Sequence, residues 1–404
     1  MTIKALRGMK DILPPQSDKF LYFIENATKI AERYGFRYIE TPLLEETALF
    51  KRSVGESSDI VGKEMYQFID KGGNDVCLRP EGTAGIVRSF IEHKLDRMQQ
   101  TYRFFYYGPM FRYERPQKGR LREFHQFGCE TFGEGSVYED ANMILLIKDI
   151  LDFFKIKYSL KINSLGCPNC MPLYRKKLVD YLEGLENRLC VDCIRRTDTN
   201  PIRVLDCKIE NCQKELKEAP KLLDNLCEEC KNDFEKLKQL LKKNSVSFEV
   251  DPNLVRGLDY YTKTAFEFVS AEIGAQSAVA GGGRFDRLVE FLGGKPTPAI
   301  GFAIGMERIL DLIEMPETKR EGIYLGALSE NAIDTIFTLA HKKREKEKVF
   351  MEYRKKSLKA HLKAADKANA KYAAIIGEEE IKNGTIWVKD LENKKEKVID
   401  LEQF

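Results

Sequence analysis

YYGPMFRYERPQKGRLREFHQFGCETFG, residues 106–133, decides how the chain is read. It continues an aromatic run, Phe104, Phe105, Tyr106 and Tyr107, that has the character of a buried strand. A polar, cation-rich middle follows, with Gly119 at its tip. In the closing FHQFGCE segment, period-two alternation puts Phe124 and Gln126 on one face and His125 and Phe127 on the other. Five arginines from Arg103 to Arg122 lie on or beside this hairpin loop. A mobile cationic loop on a rigid sheet suits a polyphosphate, because guanidinium groups pair with phosphate oxygens two at a time. Surface hairpins also carry Arg and Lys for solubility alone, so the rest of the chain must separate the two readings.

At 404 residues the expectation is two or three domains. The 43% hydrophobic and 10% aromatic content suits a folded soluble protein, and a net charge of +3 does not by itself announce a nucleic-acid binder. The opening MTIKALRGMKDILPP lacks the unbroken apolar segment of a signal peptide, and no later window approaches a membrane span. Ten cysteines without a secretion signal imply reduced thiols or metal ligands. A cytoplasmic protein with no membrane partner is expected.

In order, a helix is expected over 18–33 and a strand over 36–40, ended by Thr41-Pro42. The acid-rich LLEETALFKRSVGE beyond it suggests an edge used in self-association. A hairpin is expected over 66–69 and 75–78, then a helix over 84–93 entered through RPEGT. At that entry Glu81 and Thr83 are natural caps. A helix over 140–154 and a strand over 158–165 precede a charged, cysteine-punctuated helical insertion at 166–245. Strands resume at 248–251, 264–269 and 278–286, and 299–315 passes from strand into helix. Segments 1–165 and 246–315 therefore form one core, and 322–404 alternates strand and helix as a small α/β domain.

The chain has no G-x-x-x-x-G-K-[ST] P-loop, and Gly281-Gly282-Gly283 fails the dinucleotide fingerprint. Any nucleotide would have to be clamped by arginines, with Arg112, Arg256 and Arg308 as candidates. Their ordinary alternative is a partly buried ion pair, such as Arg256 with Asp259 or Glu307 with Arg308. The insertion's eight cysteines form pairs: Cys167 and Cys170, Cys190 and Cys193, Cys207 and Cys212, Cys227 and Cys230. Paired thiolates suit tetrahedral zinc, so two structural Cys-only sites are expected, with spacing silent on which pairs combine. Cys77 and Cys129 have strand settings. Residues 341–371 hold twelve Lys and Arg against four acids, a local +8 that suits a phosphate backbone.

Together these motifs resemble the class II aminoacyl-tRNA synthetases, and within them the histidyl-tRNA synthetase family. The resemblance rests on RGMKDILP (7–14), the first motif around Pro42, RPEGT (79–83) and GPMFRYERPQKGRLREFHQFGCE (108–130). It continues through LVRGLDYYTKTAFEF (254–268), AVAGGGRFDRLV (278–289), GFAIGMERIL (301–310) and the terminal 365–391. It implies an α+β fold: an antiparallel catalytic sheet flanked by helices, working as a homodimer, with a C-terminal anticodon-binding-type domain. It implies that L-histidine and ATP with magnesium give histidyl-adenylate, and that the histidyl group then passes to histidine tRNA.

By that resemblance Arg112 and Arg256 would hold the α-phosphate, Phe124 and Arg308 would sandwich adenine, and Arg120 would reach the outer phosphates. Glu81, Thr83 and Gln126 would hold the amino acid's charged ends. Glu130 and Tyr261 would bond the imidazole nitrogens, with Tyr260 beside them and Arg256 close to the histidine. The cysteine pairs are not a general feature of the family. The rivals are a regulatory paralogue controlling histidine biosynthesis, which generally lacks the RGLDYY tyrosines and the terminal domain, and a zinc-dependent RNA-binding protein.

Overall fold

The arginine-rich loop is carried by a long hairpin inside an eight-stranded sheet. The computed structural model describes residues 3–55, 60–117, 119–185, 188–207, 209–255, 258, 260–273, 278–317 and 319–404. The chain divides into two units, Met1–Glu314 and Met315–Phe404.

The first unit begins with α1 (Gln16–Arg33), β1 (Arg37–Tyr38), β2 (Leu44–Glu46), α2 (Thr47–Val54), β3 (Tyr66–Ile69) and β4 (Asp75–Leu78). It continues with α3 (Thr83–Glu92), β5 (Tyr102–Phe111), β6 (Glu123–Phe132), α4 (Val137–Phe153) and β7 (Ser159–Ser164). The insertion supplies α5 (Met171–Glu183), α6 (Val191–Thr199), α7 (Glu210–Glu215) and α8 (Glu228–Lys243). The chain then adds β8 (Glu249–Val250), β9 (Thr262–Val269), β10 (Ala278–Arg284), α9 (Leu288–Phe291), β11 (Ala299–Gly305) and α10 (Met306–Leu310).

The large sheet runs β1-β5-β6-β11-β10-β9-β7-β8. Its six inner strands are antiparallel, and the short edge strands β1 and β8 pair parallel with their neighbours. Alternate residues of a strand face opposite ways, so each face has its own composition. One face sends Phe105, Phe127, Cys129, Phe302, Ile304, Phe266 and Ile162 into a core closed by α1, α4, α8 and α10. The other face is built small. At one level the register aligns Tyr106, Gly128, Ala303, Gly281, Glu267 and Lys161 across six strands. One residue pair further along, Glu130 faces Gly301 and Gly301 faces Gly283.

The insertion has its own apolar cluster around Tyr174, Leu178, Leu182, Leu216 and Leu222, into which its cysteines are built. It is also tied to the main core. Cys230 at the start of α8 belongs to the insertion's cluster, while Phe234, Leu237 and Leu241 further along the same helix pack in the main one. At the far end of β10, the Arg284 guanidinium, 1% exposed, meets Asp140 of α4 at 2.6 Å and Asp286 at 3.2 Å.

The second unit holds β12 (Ile323–Ala327), α11 (Ile333–Lys343), β13 (Val349–Met351), α12 (Leu358–Lys367), β14 (Tyr372–Ile376), α13 (Glu378–Asn383), β15 (Thr385–Asp390) and β16 (Glu396–Asp400). Its mixed sheet runs β13-β12-β14-β15-β16, with apolar clusters on both faces. His361 is a core residue there: Nε2 meets the Ala327 carbonyl at 2.9 Å and Nδ1 the Tyr324 hydroxyl at 3.0 Å.

Several elements fall outside the sequence expectations, β2, α2, α13 and β16 among them. Residues of the acid-rich segment after Pro42 form β2 and α2, with Leu49, Phe50 and Val54 buried on one side of that helix. The short helix α13 begins with three glutamates, its Gly377 N–H donating to Glu380 at 2.8 Å, and closes at Gly384 with φ +64°. The strand β16 alternates too weakly to read, because it is an outer strand bonded only to β15 and remains largely exposed. Among the described residues no helix is long and apolar enough to cross a membrane.

Candidate active site

A cleft of ≈ 930 Å³ opens on the small-residue face of the large sheet. Its floor exists because side chains are missing there: a Cβ on Gly301 would fall 1.5 Å from Glu130 Oε2. Tyr106 is held in the same way. A Cβ on Gly82 would lie 2.3 Å from its ring and one on Gly128 2.4 Å from it, so the phenol fills a slot made by two glycines.

Buried acceptors collect at this end. Glu130 is 1% exposed, and its Oε1 accepts from Thr83 Oγ1 at 2.7 Å. Its Oε2, Gln126 Oε1 and the hydroxyls of Tyr106 and Tyr260 are buried without a hydrogen bond of ordinary geometry among the described residues, although the Tyr106 hydroxyl is close enough to Glu130 to oppose the rise of its pKa. Burial pushes the Glu130 carboxyl well above its ordinary range, and the nearby Glu81 charge adds to the push. The Glu81 carboxylate accepts from the N–H groups of Thr83 at 2.7 Å and Ala84 at 2.9 Å, so it caps α3 while lining the cleft. Its own pKa is raised, again chiefly by burial. Tyr106 and Tyr260 are pushed up first by burial and then by neighbouring charges, Glu130 and Glu81 among them. Polar atoms desolvated without partners are costly, so such a group suits a polar ligand that completes them.

The other end is cationic. Arg112 donates from Nε to the Pro80 carbonyl at 2.9 Å, and its guanidinium carbon lies 5.3 Å from the centre of the Phe124 ring. Arg120 pairs with Glu114 at 3.0 Å, while Arg112 reaches the same carboxylate only at 3.9 Å. Arg308 donates to the carbonyls of Gly119 at 3.2 Å and Ala278 at 2.6 Å. Its pKa is depressed by burial and by the charges of Arg120 and Arg112, which Glu114 and Glu267 oppose. Arg112 and Arg120 of the hairpin and the sequence-distant Arg308 thus share one cleft wall, a strong anion site. Glu307 does not pair with Arg308: its carboxylate takes the His125 N–H at 2.9 Å and His125 Nδ1 at 2.9 Å.

Glu81, Thr83, Arg112, Arg120, Phe124, Gln126, Tyr260, Tyr261 and Arg308 all line this cleft. Glu130 lies beneath it, bonded to Thr83. Arg256 lies outside the described residues, as does Asp259, its suggested pairing partner. Of the five arginines around the hairpin, Arg112 and Arg120 line the cleft. Arg103 instead chelates Glu139 at 2.9 and 2.8 Å, and Arg122 stacks 3.7 Å over Tyr113. The lead-in segment braces the loop, with the Arg122 N–H donating to the Gly8 carbonyl at 2.7 Å. Gly8 sits at φ +87°, where a Cβ would strike Arg122 at 2.8 Å and Pro116 at 2.9 Å.

Sequence reasoning missed Tyr106, Glu114, Glu267 and Lys161 as lining residues. The signal for Tyr106 was there in Gly82 and Gly128, whose missing side chains make sense only once the strand pairing is known. In the insertion, Cys167, Cys170, Cys227 and Cys230 form one group whose sulfurs lie within 4.8 Å of one another, and Cys190, Cys193, Cys207 and Cys212 form another. Either group has the donor set and closeness to hold a metal ion.

The comparisons with known proteins extend over nearly the whole chain. A family model described as histidyl-tRNA synthetase matches residues 8–309, and one described as an anticodon binding domain matches 323–404. The chain is 66% identical to a histidine–tRNA ligase of a Nitratiruptor species, over 100% of this chain and 99% of that one. It is 65% identical to the histidine–tRNA ligase of Sulfurimonas denitrificans, over 100% of both. The crystal structure of apo S. aureus histidyl-tRNA synthetase superposes with a TM-score of 0.84 at 34% identity, over 99% of this chain and 98% of that one. With the anionic-ligand wall, the desolvated acceptors and the terminal domain on one polypeptide, the chain belongs to the histidyl-tRNA synthetase family.

Proposed function

We propose that this cleft performs both chemical steps of histidyl-tRNA synthesis, and that the residues converging on it divide the work by charge. The chain is an ATP-dependent histidine–tRNA ligase. The observation that carries the assignment of roles is the contrast between the two ends: orphaned acceptors at Glu130, Gln126, Tyr106 and Tyr260, and guanidinium groups at Arg112, Arg120 and Arg308.

In the first step the histidine carboxylate attacks the α-phosphorus of ATP and pyrophosphate leaves. In the second, a terminal hydroxyl of the tRNA attacks the carbonyl of histidyl-adenylate and AMP leaves. Neither step needs a protein nucleophile. Both need negative charge held in place, which fixed guanidinium donors supply without reorganising. Arg112 acts at the α-phosphate, and Arg120 at the outer phosphates that arrive with magnesium. Phe124 and Arg308 face the adenine. Arg256 joins Arg112 in this reading on the resemblance alone. Magnesium prefers carboxylate and phosphate oxygens, and Glu114 and Glu267, whose charges act on Arg308, are among the carboxylates that line the cleft and would hold it.

Glu130 accepts an imidazole N–H, with Tyr261 at the other ring nitrogen and Tyr260 beside them. Glu81, Thr83 and Gln126 take the ammonium and carboxylate ends. An apolar competitor would leave Glu130 Oε2 unpaired, which is the kind of mismatch worth about 10⁴-fold in selection. The chain works in the cytoplasm and as a homodimer, the self-association supported by the short edge strand β1 and the exposed Tyr38, Leu43 and Leu44 near it. Zinc in the two cysteine groups belongs to the same reading. The terminal domain and the full-length likeness to ligases disfavour a regulatory paralogue.

Histidine-dependent exchange of labelled pyrophosphate into ATP tests the assignment. Arg112→Ala should lower exchange by about 10³-fold, equivalent to roughly 4 kcal/mol of transition-state stabilisation. Exchange within tenfold of the parent would remove Arg112 from the α-phosphate.

A further inference from the structure

The insertion's eight thiols are not paired in chain order. The outer four (Cys167, Cys170, Cys227, Cys230) enclose the inner four (Cys190, Cys193, Cys207, Cys212), each group within 4.8 Å between sulfurs. Individual Sγ separations are 3.7 Å for Cys167–Cys170, 3.7 Å for Cys167–Cys227 and 4.0 Å for Cys190–Cys207. A disulfide would bring two sulfurs to about 2.05 Å. Four sulfurs about 2.3 Å from a tetrahedral zinc lie about 3.8 Å apart, which these groups already approach.

Both groups repeat one construction. Leu189-Cys190-Val191-Asp192-Cys193 and Leu226-Cys227-Glu228-Glu229-Cys230 follow the same L-C-x-acid-C pattern. In each, the first cysteine is extended, with ψ 159° at Cys190 and 164° at Cys227, and leads into a helix, α6 or α8. In each, its backbone N–H donates to the second sulfur of the partner pair: Cys190 to Cys212 Sγ and Cys227 to Cys170 Sγ, both at 3.2 Å. Helix N-termini and N–H donors favour the negative charge of bound thiolates.

We infer that the insertion holds two separate four-cysteine zinc sites and that the inner one fixes part of the catalytic cleft wall. Leu205, Gln213, Leu216 and Lys217 of the insertion line the cleft together with the substrate-facing residues. Gln213 directly follows Cys212, and Leu205 stands two residues before Cys207. The outer site does different work, joining the chain just beyond β7 to the start of α8, whose Phe234, Leu237 and Leu241 anchor in the main core. Loading replaces the four thiol protons of each site by one divalent ion and releases those protons to solvent. The part that concerns the cleft rests on the catalytic reading above; the metal sites do not.

Full-length protein purified under reducing conditions should carry two zinc ions per chain. Stepwise removal by a chelator, with trapping of freed thiols by iodoacetamide and peptide mapping, should release 190, 193, 207 and 212 as one set and 167, 170, 227 and 230 as another. The double variant Cys190→Ser with Cys212→Ser should keep one zinc, keep the outer four thiols protected, and lose about tenfold in histidine-dependent exchange. Iron in place of zinc, one zinc or fewer per parent chain, or thiols released in consecutive pairs would overturn the two sites. A double variant with one zinc and parental exchange would overturn the cleft-wall role. Parent protein with two zinc ions and no exchange would overturn the catalytic reading and leave the sites standing. The mapping of parent protein decides the partition even where the double variant is insoluble.

Discussion

Glu130 is the residue on which substrate choice and stability pull in opposite directions. Its carboxyl is pushed well above the ordinary 4.5 by burial, so the folded protein binds its proton more tightly than the unfolded chain does. The sign follows from linkage: stability is greatest below about 4.5 and falls as pH rises towards the folded pKa. Glu130→Gln removes that slope, and the unpaired amide it introduces is a cost independent of pH. The stability of Glu130→Gln relative to the parent should therefore improve as pH rises from about 4.5 and level off once the folded pKa is passed, measured by Tm at each pH, while histidine-dependent exchange drops about 100-fold. A pH-independent gap would mean that Glu130 titrates normally. Gly301→Ala attacks the same carboxylate from below, since the new Cβ would sit 1.5 Å from Oε2 and 2.8 Å from the Cys129 carbonyl. The side chain can swing away but the backbone cannot. The expected result is a loss of about 1–3 kcal/mol in stability and a KM for histidine raised at least tenfold with the KM for ATP little changed. Equal rises in both would place the damage in the fold as a whole.

Elements become predictable when their period is clean, and this chain separates the clean cases from the rest. The helix α1 follows the sequence pattern closely because one face is buried, β10 and β11 because they are apolar or glycine runs buried on both faces, and the hairpin Tyr66–Ile69 with Asp75–Leu78 because its turn residues mark it although β3 is largely exposed. The strand β16 escaped because, as an outer strand paired only with β15, it needs no apolar alternation. The cleft was legible as residue types and motifs, but its depth was not. Depth comes from glycines facing Tyr106 and Glu130 across strands far apart in sequence, and register is a long-range property. The same holds for the tie between α4 and β10, where Asp140 and Arg284 meet although nothing local pairs them. Asp140→Ala would leave a guanidinium 1% exposed beside Asp286 and the carbonyls of Glu134 and Ser136. Its expected cost in urea unfolding is about 3–5 kcal/mol, against a much smaller loss for Asp140→Leu with Arg284→Met together. A double variant as unstable as Asp140→Ala would mean that the pair contributes net stability and not only mutual neutralisation.

At the scale of the molecule, chemistry and charge are assigned to different units. Every described residue lining the cleft lies within Met1–Glu314, and the main core draws on no residue beyond Ile313. The second unit instead carries the basic stretch 341–371. Some of its cations are paired within the unit, as Lys356 is with Glu352 at 2.5 Å and Lys343 with Glu347 at 3.6 Å. Others, including Lys342, Arg344, Arg354, Lys359 and Lys363, show no ion pair among the described residues, leaving a positive surface suited to phosphates. Adenylation consumes only small substrates held by the first unit, whereas charging also needs the tRNA to be held. A chain ending at Glu314 should therefore keep histidine-dependent pyrophosphate exchange within about threefold of the parent. Its kcat/KM for charging histidine tRNA should fall about 100-fold or more, the loss expected when several phosphate contacts disappear together. The salt dependence distinguishes this from a general weakening: in the full chain log(kcat/KM) for charging should fall steeply with log salt, and in the shortened chain that slope should be visibly shallower. A shortened chain with the parental slope would place the dominant phosphate contacts on the first unit, and one that loses exchange as well would show that the catalytic sheet depends on the second unit for its fold.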